Sequence, residues 1–338
     1  MRHFKTALAL TLLFIPALTA HKKNKPSPYT LYQGSEYIMG TRFQIKIYDR
    51  SESHAQQAME KAFATLRHHD HVLSDYQENS ELNLALSRLK RSSQPSKVRV
   101  SPLLYKALKT SHDYMALSQG LFDIRTGSLM RLWGFKSRDY RVPSAQEIAV
   151  VLKQMKASPL QLSKSGPSFS LAHPHLSIDF GAIGKGMAID AAVQDLKAFK
   201  ITAGVIDSHS TQYFIGSPPG QKGWSIAIPA PQNQSHILKW LTLKDQAIST
   251  SGTDQQAFEY KNQRYGHILN PLTGYPVNQV LQTTVVAPTA TASDALSTLS
   301  FLTESQALSN LLTQRPKTQI WRVMTQTPQK LTALTSHI

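Results

Sequence analysis

From Ser168 onward the chain is a run of short apolar segments separated by turn residues, and this pattern constrains its fold more than any other feature. Leu176–Phe180, Gly204–Gly216, Trp224–Ile228, Leu238–Leu243, Ala247–Ser251, Phe258–Tyr260, Tyr265–Ile268 and Thr283–Ala287 read as strands. Lys261–Gln263 reads as a hairpin turn, and Thr318–Ile338 as one more strand and a tail. Strands that come in runs, rather than alternating with helices, predict an α+β fold with mostly antiparallel sheets and packed helices. The first half is more helical. Ala55, Ala58, Met59, Ala62, Phe63 and Leu66 recur at helical spacing within Ser53–Val72. Helices are also predicted over Pro102–Ser118, Ser144–Met155, Met187–Phe199 and Ser293–Leu302. Before them, Phe43, Ile45 and Ile47 alternate with polar residues in a half-buried strand within Glu36–Asp49.

The 338 residues are 41% hydrophobic, enough for a substantial core, so wholesale disorder is excluded. Thirty-seven Lys and Arg against 21 Asp and Glu give a net charge of +16, which favours acidic partners without choosing among them. Basic residues are dispersed beyond residue 25 and no aromatic–basic motif appears, which disfavours a nucleic-acid binder. There is no cysteine, which excludes disulfides, thiolate metal sites and cysteine nucleophiles.

Residues 1–20 have the layout of a secretory signal: Arg2, His3 and Lys5, then the apolar run Ala7–Leu18, then Thr19–Ala20. The run has about 12 residues where a bilayer span needs roughly 20, so a cleavable signal is expected, with cleavage after Ala20. Residues 21–35 are polar and contain proline, as expected of an extended linker. Residues 36–338 are expected to form one large α+β unit, with room for two lobes.

Four places carry candidate chemistry. His68, His71 and Asp75 share a helix face and could bind a metal, or the histidines could simply complement a helix C-terminus. Gly181–Gly186 (GAIGKG) lies between a predicted strand and helix. It could cradle a phosphate through backbone N–H groups or be only a tight turn; it matches neither the P-loop nor the dinucleotide fingerprint. His267, held near the turn at Asn270–Pro271, could act as an acid or base or be structural. Asp294 and Thr298, one helical turn apart, offer the hard oxygens that Mg²⁺ prefers, or they are a first-turn charge and a back-bonded hydroxyl.

In order along the chain stand MGT (39–41), LSDYQENSEL (73–82), FDIRTGSLMRLWGF (122–135), DFGAIGKGMAID (179–190), YGHILNPLTGYPV (265–277) and SDALST (293–298). This set closely resembles the ApbE-like family of FAD:protein FMN transferases, over roughly Glu36–Thr303. The resemblance implies an exported, Mg²⁺-requiring enzyme of the ApbE flavin transferase fold. Such enzymes split FAD and place FMN on a Thr or Ser hydroxyl of an acceptor protein, releasing AMP. Typical acceptors are subunits of membrane-bound redox pumps. It further implies Asp294, Thr298 and the carbonyl of Ala182 as Mg²⁺ ligands, and His267 as the group that assists proton removal. Met39, Tyr76, Leu121, Phe122, Asp123, Asp179, Lys185 and Ile268 are implied as FAD contacts, with Tyr76 and Phe122 suited to packing on aromatic faces.

The sequence departs from the family at three points. Asp207–Thr211 reads DSHST, with His209 and Ser210 where the family has glycines; Arg125 replaces a small residue; and no cysteine follows the signal, so the chain is not a Cys-anchored lipoprotein. The resulting expectation is a periplasmic protein, or one held at the periplasmic face of the inner membrane by an uncleaved signal. The alternatives to a transferase are a Mg²⁺-dependent FAD pyrophosphatase and a non-catalytic FAD-binding protein.

Overall fold

The computed structural model describes residues 28–91, 97–173, 176–253, 256–313 and 315–335. The expected signal segment, residues 1–20, lies outside the described residues. Among the described residues, no helix is long and apolar enough to cross a membrane.

The chain opens with a hairpin of β1 (Thr30–Ile38) and β2 (Thr41–Asp49). Met39 and Gly40 turn it, with φ of 51° and 73°; two consecutive positive φ values match the twist of paired strands. The expected linker is therefore shorter than residues 21–35, because β1 begins at Thr30. As an edge strand it has exposed or half-buried side chains along its length except Ile38, so its sequence carries no strand-like apolar alternation. Helix α1 (Glu52–Leu73) follows, started by the Ser51 side chain, which accepts from His54 N–H. Then come α2 (Glu81–Arg91), β3 (Val98–Arg99), α3 (Pro102–Leu117), a 3₁₀ turn (Ile124–Thr126), α4 (Gly127–Leu132) and α5 (Ala145–Ala157). Ser144 and Glu147 close a reciprocal capping box at the start of α5.

Two short strands follow, β4 (Gln161–Leu162) and β5 (Ser168–Ser170), and β5 pairs with both β3 and β4. Helix α6 (Gly184–Ala198) then begins three residues earlier than its apolar spacing predicts. Strands β6 (Ala203–Asp207), β7 (Thr211–Gly216), β8 (Trp224–Ala230), β9 (Asn233–Leu243), β10 (Gln246–Gly252), β11 (Ala257–Tyr260), β12 (Gln263–Gly266) and β13 (Val280–Ala287) come next. The chain ends with α7 (Ala290–Leu302), α8 (Ser305–Thr313), β14 (Gln319–Met324) and β15 (Thr327–Thr335). The C-terminus thus holds two paired strands, not one and a tail.

Among the described residues the main sheet has eight strands in the order β1-β2-β6-β7-β10-β13-β14-β15, every neighbouring pair antiparallel. The expected α+β class with antiparallel sheet is observed. On one face, Phe43, Ile45 and Ile47 of β2 pack with Ala58, Ala62 and Leu66 of α1 and Ala188, Ile189 and Ala192 of α6. On the other, the β8–β9 hairpin buries Trp224 and Ile226 against Val205, Phe214, Ile248 and Trp321. Each fully buried side chain of this size contributes roughly 1.5–3 kcal/mol. An aromatic cluster around Trp133, Phe135, Phe258 and Tyr265 joins α4 to β11–β12.

Leu176–Phe180 is not a strand. Its alternating apolar residues are buried as expected, but its backbone is bonded elsewhere. Asp179 N–H donates to the Ile124 carbonyl at 2.7 Å, and Ser177 N–H to Ser128 Oγ at 2.9 Å.

Candidate active site

Helices α6 and α7 meet at Gly186. A Cβ there would stand 2.3 Å from the Ala290 carbonyl oxygen, so only glycine allows the approach. This contact carries Asp294 to the start of α6. Its Oδ2 accepts from Gly186 N–H at 2.9 Å and its Oδ1 from Thr211 Oγ1 at 3.1 Å. Behind them Ser249 Oγ donates to Thr211 Oγ1 at 3.1 Å and lies 2.7 Å from Ser293 Oγ. Asp294 is only 4% exposed, and the Lys185 ammonium stands 3.9 Å from its Oδ1 while donating to the Gly181 carbonyl at 3.1 Å. Thr298 is one turn further along α7 and half-buried; Ala182 lies in the turn that leads into α6. Hard oxygen donors with a single carboxylate suit Mg²⁺, and a carboxylate has lone pairs left after accepting two hydrogen bonds.

Asp179 begins the same turn. Its Oδ1 accepts from Gly181 N–H at 2.6 Å and its Oδ2 lies 2.8 Å from the Lys136 ammonium. Burial alone would raise this carboxyl, but Lys136, Gly181 N–H and Lys185 together hold it below the usual carboxylate range. Lys136 also pairs with Asp75 at 2.5 Å and lies 4.4 Å from the centre of the Tyr76 ring. The expected grouping of His68, His71 and Asp75 does not form. Helix α1 ends at Leu73, so Asp75 leaves the helix face and turns to Lys136, while both histidines are exposed. Among the described residues, no cluster of three or more histidines and carboxylates is placed to hold a metal.

His267 lies just past the end of β12, not within a strand. Its Nδ1 is 3.1 Å from the Gln256 carbonyl oxygen, which can only accept. Nδ1 therefore carries the hydrogen, and Nε2 of the neutral ring keeps its lone pair. Burial lowers the imidazole pKa, the Gln256 bond partly opposes this, and Lys185 and Lys136 lower it further. The ring is thus kept neutral, and it feels the charges of Lys185, Asp179 and Lys136. Gln256 is itself fixed by donating from Nε2 to the Phe135 carbonyl at 2.9 Å.

The remaining sequence candidates divide by exposure. Met39 is half-buried, with its Cε beside Gly184 at the start of α6. Tyr76 is 67% exposed. Phe122 is not an exposed platform: it is 2% exposed and packs on Tyr114 at 5.5 Å between ring centres. Ile268 is likewise buried, against Val280 and Phe301. Leu121 is half-buried beside the core. The Asp123 carboxylate is gripped at both oxygens by Arg125, 2.6 Å from Nη2 to Oδ2 and 2.9 Å from Nε to Oδ1. Arg125 also donates to the carbonyls of Met155 and Ser158 at the end of α5. Phe122, Asp123 and Ile268 therefore have their side chains committed to the protein.

Lys136, Gln256, Thr211 and Ser249 are absent from the sequence candidates. Their roles depend on partners far along the chain, and only Lys136, directly after the LWGF segment, had a local cue. His209 keeps φ at 66°, so the loop retains the left-handed conformation a glycine would adopt.

A model of the ApbE family matches residues 39–321. The FAD:protein FMN transferase of Rhodobacter capsulatus is 28% identical over 299 residues, covering 87% of this chain and 55% of that protein. The chain thus spans about half the length of that relative. The FAD:protein FMN transferase of Treponema pallidum is 27% identical over 304 residues, covering 84% of this chain and 82% of that protein. The crystal structure of the ApbE protein of Thermotoga maritima superposes with a TM-score of 0.79 at 25% identity, covering 90% of this chain and 96% of that one. The apo flavinyl transferase ApbE of Pseudomonas stutzeri shares the fold at a TM-score of 0.77 and 24% identity, covering 90% and 94%. The chain belongs to the ApbE family, a family of enzymes in which these matched relatives bear the name FAD:protein FMN transferase.

Proposed function

We propose that this protein is a Mg²⁺-dependent FAD:protein FMN transferase that esterifies a Thr or Ser hydroxyl of an acceptor protein with FMN and releases AMP. The observation that carries this reading is the convergence of Lys185, the α6 N-terminus and the buried Asp294 carboxylate on one point. Helix start and ammonium attract a pyrophosphate; the carboxylate repels it unless a cation stands between them. The chain's hard oxygens at Asp294, Thr298 and Ala182 would hold Mg²⁺. When bound, the ion supplies positive charge for the non-bridging phosphate oxygens.

The protein's own part is positioning and electrostatics. The acceptor oxygen bonds to the FMN phosphorus, and the bond from that phosphorus to the bridging oxygen breaks. AMP departs with that oxygen and its electron pair. His267 Nε2 takes the hydroxyl proton, because its neutral tautomer leaves a lone pair there. Lys185 offsets the negative charge that builds on the phosphates. We further propose that the chain is exported by residues 1–20 and that its acceptor is a subunit of a membrane redox pump; the signal layout and the family resemblance support these readings.

The test is incubation with FAD, Mg²⁺ and a candidate acceptor, read by in-gel flavin fluorescence and AMP release. A fluorescent acceptor band with equimolar AMP is expected. Free FMN with AMP and no labelled acceptor would replace transfer with hydrolysis. FAD bound without AMP would replace both with a binding role.

A further inference from the structure

Lys136 takes no part in the reaction above, yet it is the most heavily engaged charge on the flavin side of the site. Its ammonium lies 2.5 Å from Asp75 Oδ2 and 2.8 Å from Asp179 Oδ2. All three side chains are withdrawn from solvent, at 12%, 8% and 12% exposure. The two carboxylates come from separate loops, one after α1 and one before α6. Each loop carries an FAD contact implied by the family: Tyr76 follows Asp75, and Asp179 is itself the other. The same ammonium stands 4.4 Å from the centre of the Tyr76 ring. That ring is 67% exposed, so with one face under the cation, its open surface lies on the other side.

Without this cation the two carboxylates would confront each other. Even with it, burial and the Asp179 charge push the Asp75 carboxyl up to about 6. A cation between two buried carboxylates is what keeps the loops together; removing it leaves like charges unpaired, which is costly in a buried setting. A cation over an aromatic face also restrains the ring's tilt.

We propose that Lys136 is a positioning residue for FAD binding: it ties the Asp75–Tyr76 loop to the Asp179 loop and presents the uncovered face of Tyr76 to an aromatic ring of the dinucleotide. The inference rests on the FAD reading given above. If Lys136 acts through Tyr76, the two residues are coupled in FAD affinity, and a merely structural lysine is not.

The experiment is a double-variant cycle on the full chain, Lys136→Met and Tyr76→Leu singly and together. FAD affinity is read by quenching of flavin fluorescence, with thermal melting to establish that each protein is folded. Each single variant is expected to weaken FAD at least tenfold, and the double variant by little more than the worse single one. Lys136→Arg, which keeps the charge, is expected to recover most of the affinity. Should Lys136→Met fail to fold, the cycle is run in the Asp75→Asn background, which removes one carboxylate, with the same non-additivity expected. Wild-type protein that binds no FAD would refute the functional reading itself. Wild-type binding with unchanged affinity in folded Lys136→Met, or single losses that multiply in the double variant, would overturn the role of Lys136 alone.

Discussion

The two halves of the site are held by different physics. At α6–α7, Asp294 is fixed by a backbone N–H and a threonine hydroxyl, where only a glycine lets the helices touch. Where the loop after α1 meets the loop before α6, Asp75, Lys136 and Asp179 are fixed by one another's charges, beside an exposed tyrosine. The first arrangement is steric and short-ranged, so it tolerates no added volume. The second is electrostatic and joins loops, so it can yield while the fold stays intact. A centre for cleaving a pyrophosphate needs the first kind of rigidity, since its contribution depends on sub-ångström placement. A pocket that admits and releases a dinucleotide can use the second.

The sharpest break of this contrast is Asp294→Ala. Losing the one carboxylate of the proposed Mg²⁺ site is expected to lower AMP release by roughly 10³-fold or more, several kcal/mol of transition-state stabilisation. FAD affinity measured without Mg²⁺ should change far less, because the Asp75 and Asp179 loops are untouched. The variant also strands Gly186 N–H, while Thr211 Oγ1 keeps its bond from Ser249, so a stability loss of about 1–3 kcal/mol is expected in denaturant titration. Full AMP release at limiting Mg²⁺ would sink the assignment of Asp294.

Next in size is His267→Ala, with an expected loss of roughly 10²-fold in transfer and little change in FAD affinity. The pH profile adds a signature. The folded-state imidazole is held below its ordinary pKa, so the base stays neutral through the usual histidine range and transfer falls only in more acidic solution. A wild-type acid limb above the ordinary histidine pKa, or one that persists unchanged in His267→Ala, would remove this residue from the proton transfer.

The same contrast decided what could be read from the sequence. Asp294, Thr298, Lys185 and the GAIGKG turn sit in contiguous segments, so the family resemblance could nominate them as candidates, whereas the amphipathic α1 and the β6–β13 strands are legible from periodicity alone. The edge strand β1 reads as linker because it has almost no buried face, and Leu176–Phe180 reads as a strand because apolar and polar residues alternate there, although its backbone pairs with no strand among the described residues. Phe122 has the composition of a stacking aromatic, and only the packing of Tyr114 shows that it is core. Lys136 illustrates the general limit. Its partners lie 61 residues before and 43 after it, and no local pattern announces a salt bridge that closes two loops.

A milder probe of the α6–α7 half is Thr211→Val, which keeps the shape and deletes the hydroxyl that donates to Asp294 and accepts from Ser249. Groups that orient a metal ligand typically alter metal affinity by about 10–100-fold, so the Mg²⁺ concentration for half-maximal AMP release should rise about tenfold, with the saturating rate nearly preserved. An unchanged Mg²⁺ requirement would mean that Gly186 N–H alone orients the carboxylate.

The smallest expected effect is at His209, in the DSHST segment. Its φ of 66° is a conformation that costs a residue with a Cβ roughly 1–2 kcal/mol, while a glycine adopts it freely. Asp207 Oδ1 accepts from His209 N–H at 2.7 Å, and that bond uses only the backbone. His209→Gly should therefore keep the turn and relieve the strain. Glycine gives back about 0.5–1 kcal/mol through the freedom of its unfolded chain, so the net gain is at most about 1.5 kcal/mol. In a chain of this size that is a rise of about 2 °C in Tm. Transfer should stay within about twofold of wild type, because Thr211 and its bond to Asp294 lie beyond the turn and keep their register. A large gain in turnover from His209→Gly would mean that the histidine ring, not the backbone it strains, limits access to the site. The steric half would then be less completely built than its hydrogen bonds suggest.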